Sequence, residues 1–153
     1  MTHYSDPPTA NQLRQDCDQL LAAYNALDQT RQQAIQALDA LKQTGIYDSI
    51  PTASYEKRRE NGGKALRLIF PTQNGERIRE YIGTAPDAQA QALAQIERTQ
   101  EARELDRLIE DIGRDLKRYA ADLSRKAKDV TYSAQYRDTQ LEKIKLEKIK
   151  RAT

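Results

Sequence analysis

The stretch ALRLIFPTQNGERIREYIG, residues 65–83, decides the fold because it is the only part of the 153-residue chain with the pattern of β-structure. Its apolar residues alternate in two runs on either side of Asn74-Gly75: Leu66, Leu68 and Phe70, then Ile78 and Ile82. An Asn-Gly pair tolerates the positive φ angles that a two-residue hairpin turn requires. These residues predict one β-hairpin, with long helical sequence on both sides of it.

A two-residue loop at Asn74-Gly75 also predicts which residues face each other across the hairpin. The predicted pairs are Phe70 with Arg79 and Leu68 with Tyr81 on one face, and Ile69 with Glu80 and Arg67 with Ile82 on the other. Both faces are then half apolar, and an isolated hairpin is marginal in water, so something must cover it. Two solutions are open: the hairpin of a second copy, forming a four-stranded sheet in a dimer, or the chain's own helices.

Residues 10–44 contain no Pro or Gly and predict a first helix, with Thr9 as its N-cap and Gly45 as its left-handed C-cap. Apolar residues recur there at heptad spacing: Leu13, Cys17, Leu20, Tyr24, Leu27, Ala34, Leu38 and Leu41. This spacing indicates a helix that packs on a partner helix. Arg31 interrupts the seam, where a charge either lowers stability or fixes the register.

Residues 84–124 predict a second helix, opened by Thr84 and Pro86. Its seam runs from Leu105 to Leu123, and Leu93 and Ile96 lie off that line. Either the helix breaks near Thr99, or its first half packs on the hairpin and its second half on the first helix, which is the preferred interpretation. The residues expected to hold the arms together, within or between chains, are Leu13, Leu20, Leu27, Leu38, Leu41, Leu105, Ile109, Ile112 and Leu116.

The predicted fold is mainly α, with two long helices forming an antiparallel coiled-coil pair joined through a central β-hairpin. Residues 1–9 form a disordered lead, 10–44 the first arm, 45–64 a partly mobile connector, 65–83 the hairpin, 84–124 the second arm and 125–153 a helical basic tail. In outline this plan resembles a prefoldin subunit, a coiled-coil hairpin with β-structure at the helix junction.

Charge is distributed unevenly along the chain, although the net charge is only +2. The arms are acidic, whereas residues 45–83 carry a net charge of +2 and residues 125–153 a net charge of +5. Lys and Arg neutralise phosphates, so the basic segments predict contacts with nucleic acid, or in the tail with an acidic protein surface. The candidate nucleic-acid contacts are Arg58, Arg59, Lys64, Arg67, Arg77, Arg79, Lys145, Lys148 and Lys150.

The run LRLIFPTQNGERIREYIGTAPDAQAQALAQIER, residues 66–98, resembles the arm-binding domains near the N-termini of tyrosine recombinases. In those modules two strands meet at an Asn-Gly or Asp-Gly turn, the second strand is basic and ends in Gly-Thr, and an alanine-rich helix follows. The resemblance implies strands that enter the major groove of DNA, with Arg67, Arg77 and Arg79 as contacts and Thr84 near a phosphate. The chain departs from the pattern because it predicts no clear third strand and is too short for a recombinase catalytic domain.

The residue inventory argues against catalysis and against metal binding. One Cys and one His exclude an intramolecular disulfide and cysteine- or histidine-rich metal sites. The chain has no phosphate-binding loop and no Ser or Cys nucleophile that pairs with a His, so we expect a non-enzyme without a cofactor. No signal peptide or membrane span is predicted, which favours a cytoplasmic location.

Two functions remain open. In the first, the chain is a dimeric accessory protein that binds nucleic acid, with DNA favoured over RNA, for a plasmid, a phage or a mobile element. In the second, it is a coiled-coil adaptor that binds another protein without nucleic acid. The first predicts that the basic residues around the hairpin form one continuous surface, and the second that Glu56, Glu60, Glu76 and Glu80 break it up.

Overall fold

The computed structural model describes residues 4–57 and 63–153. The elements in chain order are helix α1 (Ala10–Thr44), strands β1 (Thr52–Lys57), β2 (Lys64–Ile69) and β3 (Arg79–Gly83), and helix α2 (Pro86–Ala152). The chain divides into two compact units, Met1–Ile112 and Gly113–Thr153. The described part of the protein is mainly helical, as predicted, and a small antiparallel sheet lies between α1 and α2 along the chain.

The sheet has three strands in the order β1-β2-β3, so the prediction of a lone two-stranded hairpin was wrong. The extra strand β1 comes from the segment predicted to be a connector. It pairs with β2 along its whole length, from Thr52 opposite Ile69 to Lys57 opposite Lys64. Its sequence, TASYEK, brings a β-branched and an aromatic residue to an edge strand, where such residues are favoured.

The predicted turn at Asn74-Gly75 is confirmed. Both residues have positive φ angles, 53° and 80°, and Gln73 and Glu76 exchange two backbone hydrogen bonds of 2.9 Å. From Phe70 back to Arg67 the predicted register was wrong by one residue, because Phe70 N–H donates to the Ile78 carbonyl and Ile69 faces Arg79. Two residues, Pro71 and Thr72, thus lie opposite Arg77 alone. Proline has no N–H for the ladder, and a bulge is where a strand tolerates it. A second irregularity, between Leu66 and Arg67, restores the predicted register where Leu66 faces Gly83.

The core of the sheet forms against α2. The side chains of Leu66 and Leu68 are fully buried, and they pack against Ala92 and Ile96 of the helix. Partly buried apolar residues complete this cluster: Tyr47, Ile50, Ala53, Phe70 and Ile82. Of the two solutions left open by the sequence, the chain's own helix covers the sheet. The first half of α2 packs on the sheet, as preferred, and α2 is continuous through Thr99.

Polar contacts fix the segment between α1 and β1 on α2. The buried hydroxyl of Thr99 accepts a 2.9 Å hydrogen bond from the backbone N–H of Tyr47 and donates one of 2.7 Å to the Gln95 carbonyl. One helix turn therefore holds the beginning of this segment in place, and Arg98 supports it by donating through Nε to the Gly45 carbonyl at 2.9 Å.

Replacing Thr99 by Val should destabilise the first unit by about 1–3 kcal/mol, because the isosteric side chain leaves the Tyr47 N–H without its acceptor. Urea denaturation followed by circular dichroism measures the change. Thr99→Ser keeps the hydroxyl and serves as the matched control, which should lose less. A loss for Ser with none for Val would show that the methyl group, and not the hydrogen bond, stabilises this junction.

Helix α1 begins as predicted, with Thr9 and Gln12 forming a reciprocal capping box. It ends before Gly45, whose φ of 119° is positive but whose ψ of 122° is not that of a left-handed cap. Its predicted seam is half-buried or buried from Tyr24 to Leu41, whereas the seam residues before Tyr24 are exposed. Arg31 is half-buried, and its Nε has no hydrogen-bond partner within the described part of the chain.

Candidate nucleic-acid interface

The sheet presents its two faces to different surroundings. Residues paired across antiparallel strands point to the same side, so the partners of Leu66 and Leu68 point toward α2. The opposite side, which we call the arginine face, carries two complete cross-strand rows and one pair. These are Thr52, Ile69 and Arg79; Ser54, Arg67 and Tyr81; and Glu56 with Ala65.

The bulge at Pro71 and Thr72 determines the composition of this face. In the predicted register Arg67 and Arg79 lie on opposite sides of the hairpin. In the observed register both lie on the arginine face, on neighbouring strands, beside Tyr81. A shift of one residue moves a strand's side chains to the other face, and here it brings the two arginines together.

One glutamate neutralises part of this face and another does not. Glu56 Oε1 lies 2.6 Å from a terminal guanidinium nitrogen of Arg67, and the Arg67 side chain remains 30% exposed. Glu80, in contrast, faces Leu68 on the side of α2. Of these two glutamates, one thus forms an ion pair on the arginine face and the other lies on the opposite side of the sheet.

The other predicted contacts are dispersed. Arg77 is exposed between the turn and β3, whereas Lys64 opens β2 opposite Lys57, on the side of Leu66. Arg58 and Arg59 lie outside the described residues. The tail lysines are exposed on α2, where Lys145 Nζ is 3.5 Å from Glu142. The geometry therefore brings together Arg67 and Arg79, and it does not join them to Lys64.

The arginine face offers hydrogen-bond donors of three kinds: guanidinium, phenol and hydroxyl groups. Comparison with known proteins adds nothing to this description. No protein-family model, curated protein or solved structure matches the chain. Arginine, tyrosine and serine side chains are common donors to phosphate oxygens, and arginine also reads guanine edges in the major groove. The chemistry of the arginine face is therefore suited to a nucleic acid.

Sequence reasoning missed Ser54 and Tyr81 as members of this face. Tyr81 is 52% exposed and was expected beside Leu68, while Ser54 belongs to the strand that was not predicted. The missed signal is the pair Asn61-Gly62, which follows TASYEK as Asn74-Gly75 follows the next strand. A second Asn-Gly pair behind a β-favouring run predicts a second hairpin.

The opposite side of the sheet has a shallow pocket of about 270 Å³ near the hairpin end. The rings of Tyr47 and Phe70 meet edge to face there, with centroids 5.4 Å apart, and Glu80 lines the pocket. Burial, followed by the nearby Glu80 carboxylate, raises the pKa of the Tyr47 phenol above its usual value. The phenol is therefore neutral at physiological pH and acts as part of the core.

Neither a metal site nor a membrane span is present in the described part of the chain. Within residues 4–57 and 63–153, no three His, Cys, Asp or Glu residues lie together where they would hold a metal ion. No helix there combines the length and the apolar character that crossing a membrane requires.

The Glu56→Gln variant should bind duplex DNA several-fold more tightly than the native chain, by roughly 1 kcal/mol, because Arg67 loses a competing carboxylate. Fluorescence anisotropy with a labelled duplex measures the affinity. Glu80→Gln removes the same charge from the other side of the sheet and should change binding less. If both variants gain equally, net charge and not the arginine face governs binding.

Proposed function

We propose that this protein is a non-catalytic, dimeric accessory factor that binds duplex DNA through the arginine face. The observation that carries the proposal is the position of Arg67 and Arg79 on one side of the sheet. On that side Ser54 and Tyr81 face Arg67 from the two neighbouring strands. Such a set of donors matches phosphate oxygens and base edges better than it matches an apolar partner.

The dimensions of the sheet support this proposal. Strands lie about 4.8 Å apart, so the three backbones span about 10 Å, and the major groove of B-DNA is about 12 Å wide. A pair of strands fits such a groove, and the remaining strand lies at its rim. Arg79 belongs to the edge strand β3, and Arg67 belongs to the central strand β2. Together they would approach a base edge and the adjacent backbone.

The resemblance to the arm-binding domains also gains support from β1. The sequence lacked a clear third strand, and the sheet has one. An alanine-rich helix follows β3 and packs on the sheet through Ala92 and Ile96, while Arg79 and Tyr81 on the other face are exposed. This arrangement favours the DNA-reading role that the resemblance implies for Arg67, Arg77 and Arg79.

The helices supply the scaffold in this proposal. Within the first unit, half-buried and buried residues recur at three- and four-residue steps on both helices: Tyr24, Leu27, Arg31, Ala34, Leu38 and Leu41 on α1, and Ala102, Leu105, Ile109 and Ile112 on α2. This pattern supports the antiparallel coiled-coil pairing of α1 with α2. The tail lysines Lys145, Lys148 and Lys150 would add phosphate contacts that carry no sequence information.

A duplex titration at two salt concentrations tests the proposal. The native chain should bind, and its affinity should fall steeply between about 50 and 200 mM salt, because phosphate contacts release counterions. A variant with Lys145, Lys148 and Lys150 changed to Ala separates the tail from the sheet: it should weaken binding without abolishing it. Absence of binding at the lower salt concentration would refute the proposal.

The alternative is a coiled-coil adaptor that binds another protein without nucleic acid. Two observations favour it: Glu56 neutralises Arg67 on the arginine face, and the beginning of the α1 seam is exposed, with Leu13 at 55% and Leu20 at 49%. The same titration separates the two functions, since an adaptor would show no salt-dependent binding to a duplex.

A further inference from the structure

The second unit, Gly113–Thr153, carries apolar residues that remain exposed within the described part of the chain. After Leu116, every residue of α2 except Gln140 is exposed, including Leu123, Val130, Leu141 and Ile144. A helix of this length draws most of its stability from packing an apolar stripe, so a covering partner is expected.

Part of this helix has a regular seam. Eight positions at alternating three- and four-residue steps make up what we call the C-terminal seam: Ala120, Leu123, Ala127, Val130, Ala134, Arg137, Leu141 and Ile144. This spacing is that of a coiled-coil interface, which keeps one stripe facing a partner helix. The repeated LEKIK pentads do not keep one face, but their residues Leu141 and Ile144 belong to this seam.

We propose that the C-terminal seam binds the same seam of a second copy of this chain, with the two helices antiparallel. Aligned about residue 132, the seam is complementary to itself. The facing pairs are Ala120 with Ile144, Leu123 with Leu141, Ala127 with Arg137 and Val130 with Ala134. Three of these four pairs set a large side chain against alanine, which fills the interface evenly and lets the helices approach closely.

Charges also favour the antiparallel orientation. In a parallel pair Arg137 would face its own copy, and each of the three alanines would face an alanine, which leaves a repulsive layer and three poorly filled ones. In the antiparallel pair Arg137 lies against Ala127, and its long side chain reaches solvent past the methyl group. Among the residues flanking the seam, Lys126 meets Gln140 and Ser124 meets Asp138 without like charges, and the outermost pair, Lys117 with Lys145, sets two lysines together. This pairing does not depend on binding to DNA.

Sedimentation equilibrium of the full chain tests the interface. The native chain should be dimeric at tens of micromolar, and Leu123→Asp should weaken the dimer at least about tenfold, because it buries an unpaired charge. Leu146→Asp is the matched control, since Leu146 is similarly exposed on the other side of the helix. A native chain that stays monomeric, or equal weakening by both variants, would overturn the proposal.

Disulfide trapping tests the orientation independently of these variants. With Cys17, the single cysteine, changed to Ser, a mixture of the Leu123→Cys and Leu141→Cys chains should cross-link to a mixed dimer under mild oxidation. Leu123→Cys alone should not, because 18 residues of helix, about 27 Å, separate the two sulfurs in the antiparallel pair. If Leu123→Cys cross-links to itself and the mixture forms no mixed dimer of the two variants, the helices are parallel and the inference is overturned.

Discussion

Leu68→Ala is expected to reduce the free energy of unfolding of the first unit by about 2–5 kcal/mol, which is the usual range for truncation of a buried leucine. Leu68 is fully buried near the end of the middle strand and packs against α2. The small sheet has few other buried side chains, so the cavity has little chance to collapse. Urea denaturation followed by circular dichroism and by tyrosine fluorescence measures the loss.

Leu93→Ala is the matched control for this prediction. Leu93 follows Ala92 on α2 but is 36% exposed, so the same truncation should reduce stability by less than about 1 kcal/mol. Similar losses for the two variants would mean that α2 does not pack on the sheet through Leu68. The arginine face would then lose the scaffold on which its geometry depends.

The double variant Arg67→Ala with Arg79→Ala should weaken duplex binding by about ten- to a hundredfold, since each base or phosphate contact contributes about 1 kcal/mol or more. The salt dependence should also decrease by about one unit of slope for each phosphate contact removed. Both are measured in one anisotropy titration at several salt concentrations. Far-ultraviolet circular dichroism verifies that the variant is folded.

A second double variant provides the comparison at equal charge. Arg103 and Arg107 are exposed on α2, away from the sheet, and their replacement by Ala changes the net charge by the same amount. This variant should bind within about threefold of the native chain, because its arginines contribute only to long-range attraction. If it loses as much affinity as the sheet variant, binding is non-specific attraction to the whole molecule.

Local signals in the sequence predicted the turn but not the register. Asn74 and Gly75 are sufficient for a two-residue hairpin, since the positive φ angles that they tolerate are the ones the turn requires. The register depends on how the ladder passes Pro71, and the alternation of apolar residues does not indicate the bulge there. The composition of each face changes with that single residue, so the arginine face could not be predicted from the alternation alone.

The third strand was missed for a different reason. Thr52 to Lys57 mixes polar and apolar residues without clear alternation, and Pro51 and Gly63 on either side suggested an irregular segment. The strand forms because β2 offers it an edge and Ala53 joins the core. Long-range pairing of this kind depends on the partner strand, and β propensity alone indicates it weakly.

The helices were predictable because their signals are local. Thr9 caps α1 as expected, and the absence of Pro and Gly across residues 10–44 predicted α1 to the residue. The second arm and the tail form one helix, α2, since neither Gly113 nor Ser124 interrupts it. Which parts of the seams are covered was not predictable, because that depends on which elements fold back onto each helix.

Photo-crosslinking from the two faces of the sheet tests the central claim most directly. Tyr81 on the arginine face and Tyr55 on the side of α2 are about equally exposed, 52% and 48%, so a photoreactive phenylalanine analogue at either position samples one face. We predict a cross-link to duplex DNA from position 81 that an unlabelled duplex competes away, and little from position 55. Equal cross-linking from both positions, or cross-linking from position 55 alone, would contradict the assignment of the arginine face as the DNA-binding surface.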